Sequence, residues 1–162
     1  MKKTLSVLIT LAASSSVIAA PQIPSEAEIK GRNTYFIAPY KATCDVKPIH
    51  QVTANTAEEA IQLEQIFDES LGYSLTLNAK GQAYIQLAIK EWNEKMVFAT
   101  NPDVKLTIRG ADIKGQYITN QYCLEQNLAL HHVNTHEWGS YLVELHGQPN
   151  QIISLRIVKE SE

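Results

Sequence analysis

The chain has 162 residues, 44% of them apolar, and a formal net charge of −3. Its 14 lysines and arginines are dispersed, arginine occurs only at Arg32, Arg109 and Arg156, and no basic run follows Lys3. Phosphate backbones and anionic bilayers bind clustered positive charge, so this distribution argues against nucleic acid and membrane-surface partners.

Lys2 and Lys3 precede an uncharged run of Leu, Val, Ile, Ala, Ser and Thr that reaches residue 20. A basic start followed by such a run has the form of a secretory signal peptide. Cleavage after Ala19 places Val17 and Ala19 at the small-residue positions, whereas cleavage after Ala20 leaves Pro21 first, with its restricted backbone. An uncut anchor is the alternative, but the run is short and serine-rich against the roughly 20 apolar residues of a span. No Cys follows it, so lipoprotein attachment is not expected, and no later segment approaches membrane length. The expectation is a signal peptide over residues 1–19, a flexible lead-in over 20–33 and a single globular domain over 34–162. Removing 19 of 162 residues leaves 143, enough for one core without cysteine staples, with 12 basic residues against 17 acidic ones.

The two cysteines, Cys44 and Cys123, both lie in the mature region. In an oxidising compartment an even pair is most simply a disulfide. Closing a loop of about 80 residues stabilises by roughly 4–5 kcal/mol in the chain-entropy account. Such a bond ties the N-terminal segment to the C-terminal half, which favours one cooperative unit. A reactive or metal-binding pair is the alternative, without a CxxC or an adjacent His to support it.

In chain order, residues 34–40 (TYFIAPY) are β-branched and aromatic and read as a strand that Pro39 interrupts. The stretch 44–50 is irregular, with Pro48 holding Lys47 extended. A helix is predicted over 56–71: Thr56 and Glu59 form a capping box, apolar residues recur at Ala60, Ile61, Leu63, Ile66, Phe67 and Leu71, and Gly72 is a stop. From Tyr73 the period becomes two. Tyr73, Leu75 and Leu77, a turn over 78–81 with Gly81, and Ile85, Leu87 and Ile89 read as a hairpin. The rival is a helix over 84–98, where Ile85, Ile89, Trp92 and Met96 share a face. Further strands are predicted over 104–109, 116–123, 128–133, 141–146 and 152–158, joined by short polar turns. The pattern predicts an α+β domain, one N-terminal helix packed on an antiparallel β-meander, with a small β-barrel and one outer helix as the alternative.

The stretch 130–146, LHHVNTHEWGSYLVELH, carries four of the five histidines together with Glu137 and Glu144. Imidazole and carboxylate are natural zinc or copper ligands, which makes His131, His132 and His136 the candidate metal residues. If residues 134–139 form a hairpin loop, His131 faces Leu142 and His132 faces Tyr141. Adjacent strand residues point to opposite faces, so His131 and His132 cannot share an ion, and His146 lies roughly 13 Å along the strand from the partner of His131. What remains is His131 with Glu144, or His132 with His136 and Glu137; the simpler reading is polar edge and loop residues on a solvated face.

No Gly-x-Ser-x-Gly and no Gly-rich phosphate loop is present, and Asp68 with Glu69 reads as a solvated helix face, so no enzyme and no cofactor is expected. His136, Glu137 and Trp138 form the candidate binding loop, because an exposed Trp is a frequent anchor for a partner; the alternative folds Trp138 back over the sheet end. Trp92 is placed in the core or at a strand end. The expectation is an exported protein-binding module of a bacterial-type envelope, periplasmic or secreted: an inhibitor, immunity or accessory protein whose partner is another protein of the envelope or secretome. The alternative is a carrier of a small ligand or metal that uses the His-rich 130–146 hairpin.

Overall fold

The computed structural model describes residues 23–51, 53–63, 66–67 and 71–160. The expected signal peptide and the Asp68–Glu69 pair lie outside the described residues. The α+β class holds, as two open, predominantly antiparallel sheets and not a closed barrel, with three α-helices among the described residues.

The region expected as a flexible lead-in over 20–33 and a strand over 34–40 holds two helices among its described residues. α1 spans Glu26–Tyr35, starting where Ser25 accepts a hydrogen bond from the Glu28 amide at 3.2 Å, with Glu26 and Glu28 at its positive end. α2 spans Ile37–Asp45. Pro39 falls in the first turn of α2, where its missing N–H is not needed, so it starts a helix here and does not interrupt a strand. β1 (Pro48–His50) follows.

The helix expected over 56–71 is shorter. α3 spans Ala57–Gln62, with the expected cap: the Thr56 hydroxyl accepts from the Glu59 amide at 3.1 Å, and the Glu59 carboxylate accepts from the Asn55 amide at 2.8 Å. β2 (Ile66–Phe67) then runs parallel to the middle of β4, so sheet pairing takes residues that the helical period had claimed. β3 (Leu71–Thr76), β4 (Gln82–Ile89), β5 (Lys95–Thr100), β6 (Lys105–Ile108), β7 (Ala111–Thr119), β8 (Ala129–Thr135), β9 (Gly139–His146) and β10 (Ile152–Lys159) complete the chain. The rival helix over 84–98 is absent: residues 82–89 and 95–100 are separate strands.

Sheet A has the order β1-β3-β10-β5-β8-β7 and sheet B the order β2-β4-β9-β6. Of the consecutive strands only β7 and β8 pair; the others cross between sheets. The turn over 78–81 does occur, but it sends the chain from sheet A to sheet B and does not close a hairpin. The Asn78 carboxamide accepts from the amides of Lys80 and Gln82. Gly81 has φ +73°, and a Cβ there would lie 2.2 Å from the Gly147 carbonyl oxygen. Likewise β8 and β9 lie in different sheets, so the expected 130–146 hairpin is not formed.

Period-two alternation explains the layering. Leu75, Phe98, Val133 and Leu155 of sheet A face Ile85, Leu87, Leu106, Val143 and Leu145 of sheet B across one core. The outer face of sheet A is covered by α2, where Tyr40 packs with Val97, Leu130 and Val158. The outer face of sheet B carries α3 through Ala54, Ala60 and Leu142. The Cys44–Cys123 disulfide forms, joining the end of α2 to the segment after β7. Beside it Arg156, 8% exposed, donates to the carbonyls of Thr43 and Cys44 and to the Gln126 side chain, so its buried charge meets the carbonyl end of α2.

Candidate functional site

The loop between β8 and β9 carries His136, Glu137 and Trp138, and the structure holds it in place. The Tyr141 hydroxyl donates to the Glu137 carbonyl at 2.9 Å and accepts from the Glu137 amide at 3.1 Å. His136 lies 3.3 Å from the Asp112 carboxylate, which also meets Lys114 at 2.8 Å. The Lys114 hydrogen bond and charge, with His136 adding to them, hold the Asp112 carboxyl below its ordinary range. Gly139 closes the loop at φ +143°. Trp138 does not fold back over the sheet; it is 64% exposed. With Arg109, His136, Glu137, Ser140 and Tyr141 it lines a shallow pocket of about 460 Å³. The Arg109 side chain is 75% exposed and reaches Glu144 only at 3.7 Å, a contact that leaves most of the guanidinium open.

Trp92 is not in the core: it is 62% exposed in the turn between the end of β4 and the start of β5. The rung Ile89↔Gly139 ends the β4–β9 ladder, so Trp92 and Trp138 project beyond the same end of the sandwich. Lys95 opens β5 at this end, opposite Asn134, and lines a groove with Tyr35, Phe36, Ile37 and Pro39. Tyr35 is 83% exposed. This end thus gathers both tryptophans and the α1–α2 junction.

The histidines of the 130–146 stretch are dispersed. His131 and His132 do occupy opposite faces of one strand, but their partners are not those of a hairpin: His131 sits opposite Phe98, and His132 opposite Val97 and Gly115. His131 faces the core between the sheets. Its Nε2 lies 3.0 Å from the Thr100 hydroxyl and the Tyr117 ring stands edge-on at 5.2 Å, while Nδ1 has no hydrogen-bond partner. Burial, with the nearby His132 charge, pushes its pKa down to about 4. His132 faces α2, with Nε2 2.7 Å from the Tyr40 hydroxyl and Nδ1 2.9 Å from the Glu160 carboxylate. Burial lowers its pKa and Glu160 opposes the shift. His146 lies near the far end of the β4–β9 ladder, 3.6 Å from Glu144. Both nitrogens of His132 are occupied and His131 is enclosed, so neither is placed as a metal ligand with His136, and among the described residues no three His, Cys, Asp or Glu converge on an ion position. Tyr40 and Glu160, remote in sequence, carried no local signal of their role.

The fold and this end together define a helix-covered β-sandwich with a pinned aromatic loop. Comparison with known protein families, curated proteins and solved structures finds no match.

Proposed function

We propose that this chain is a protein-binding module that docks through the Trp138 end of the sandwich, serving as an inhibitor, immunity or accessory protein of a bacterial-type envelope. The observation that supports it best is an indole 64% exposed on a loop whose backbone is held at both polar groups of Glu137. A solvated tryptophan on a prearranged loop loses little conformational freedom on docking, which is the situation in which a single aromatic anchors an interface. The basic start, the uncharged run behind it and the disulfide support export to an oxidising compartment.

The test is affinity capture with oxidised chain 20–162 on envelope extract and culture medium, followed by titration of the recovered protein. Trp138→Ala is expected to weaken binding by about 30-fold, the 2 kcal/mol typical of a hot spot, and Glu137→Ala by less. A partner bound equally well by Trp138→Ala and by a Trp92→Ala/Trp138→Ala double variant would sink this reading. A bound metal lost on changing His136, with no protein partner, would favour the carrier.

A further inference from the structure

The polar chain Glu160–His132–Tyr40 lies beneath the α1–α2 junction and fastens three elements through one imidazole. With Nδ1–H donating to the Glu160 carboxylate, Nε2 is free to accept the Tyr40 hydroxyl, and every group is satisfied. Tyr40 is fully buried in α2, His132 is 3% exposed in β8, and Phe36 at the α1–α2 junction lies over the imidazole at 4.4 Å. The C-terminal end of α2 is fixed separately, by Cys44–Cys123, by Arg156, and by Asn120 donating to Thr43 Oγ1, while Asn120 also donates to the Tyr40 carbonyl.

We infer that His132 is the latch of an acid-released cover: neutral, it holds the α1–α2 junction on sheet A, and protonated it lets that junction lift while the disulfide retains the end of α2. A proton on Nε2 turns both ring nitrogens into donors. The Tyr40 oxygen must then accept, and its own hydrogen loses its acceptor in a site closed to water. The charged groups around the latch are Glu28 and Arg32 from α1, Lys95 at the start of β5 and Glu160 after β10; Tyr40 from α2 is the neighbouring titratable group. From β7 the neighbour is Gly115, and the Arg32 guanidinium occupies the space a Cβ would take there. Glu160 favours the imidazolium; Arg32 and burial oppose it, and burial is the largest effect. Stability of the cover is therefore complete above the ordinary histidine pKa of about 6.5 and declines as pH falls below it. His131, on the other face and with no carboxylate beside it, is held neutral by burial between the sheets and takes no part in the latch.

The experiment is amide hydrogen exchange of the oxidised chain between pH 7.5 and pH 4.5, corrected for intrinsic chemistry and read by peptide mass spectrometry. Peptides covering residues 26–40 should lose protection by up to about tenfold per pH unit below 6.5, one proton's worth, and stay less protected than β4, β9 and β10 throughout. His132→Gln, which retains a donor and an acceptor but gains no proton, should flatten that dependence. Equal protection of residues 26–40 and the sandwich strands across the range, or an unchanged slope in His132→Gln, would overturn the inference. Should His132→Gln not fold, Glu160→Gln serves: removing the carboxylate should extend the fall in protection to lower pH before it levels off, and an unaltered profile counts against the latch.

Discussion

His131 is the residue whose environment departs furthest from what its sequence neighbours suggest. Set among histidines and a glutamate, it reads as a solvated ligand, but it is fully enclosed between the sheets with one ring nitrogen unpartnered. Its folded pKa of about 4 lies below the ordinary 6.5, so the unfolded chain binds the extra proton first. Its contribution is therefore intact above pH 6.5 and is lost as pH falls toward 4, by about 3 kcal/mol at 1.36 kcal/mol per unit. Denaturant unfolding at pH 7 and at pH 4 measures it, and equal midpoints would refute it. Trp138 was legible as a candidate, with its exposure left open, whereas Trp92 was placed in the core or at a strand end. With Trp92 and Trp138 both more than 60% exposed, and no other tryptophan in the chain, native fluorescence should already resemble that of the unfolded protein. A strongly blue-shifted native emission would contradict that placement.

At the scale of elements, local chemistry was legible and partners were not. The Thr56–Glu59 cap is formed as the residues imply, and Thr56→Ala should cost about 1 kcal/mol of stability by thermal or denaturant unfolding. Gly81 was expected in a turn and occupies one, but the carbonyl of Gly147 pressing on it belongs to the β9–β10 connection, which no local pattern could supply. Gly81→Ala should destabilise by at least 1 kcal/mol, since it meets both a positive φ and a backbone oxygen; a neutral effect would show that the turn relaxes. Residues 34–40 misled because β-branched and aromatic side chains suit a strand, whereas here Phe36 and Tyr40 pack one helical turn apart against sheet A, and packing outweighs intrinsic preference.

For the whole molecule, the disulfide matters more than its single bond suggests, because it ties the helical cover to the connection between β7 and β8. Reducing it frees a loop with a sequence separation of 79 and should lower stability by roughly 4 kcal/mol, readable as a shift of the denaturation midpoint. Composition, cysteine parity and alternation by themselves determined the α+β class, the existence of strands from residue 73 onward, the cap of α3 and the cross-link. These depend on residues near in sequence, or on parity alone. Only the tertiary structure decided that successive strands belong to different sheets, that His131 and His132 are enclosed while Trp92 and Trp138 are exposed, and that Tyr40 and Glu160 meet on one imidazole. An alternating strand states that it has an apolar face, but not which of two sheets will cover it, and every functional neighbour in this protein follows from that choice.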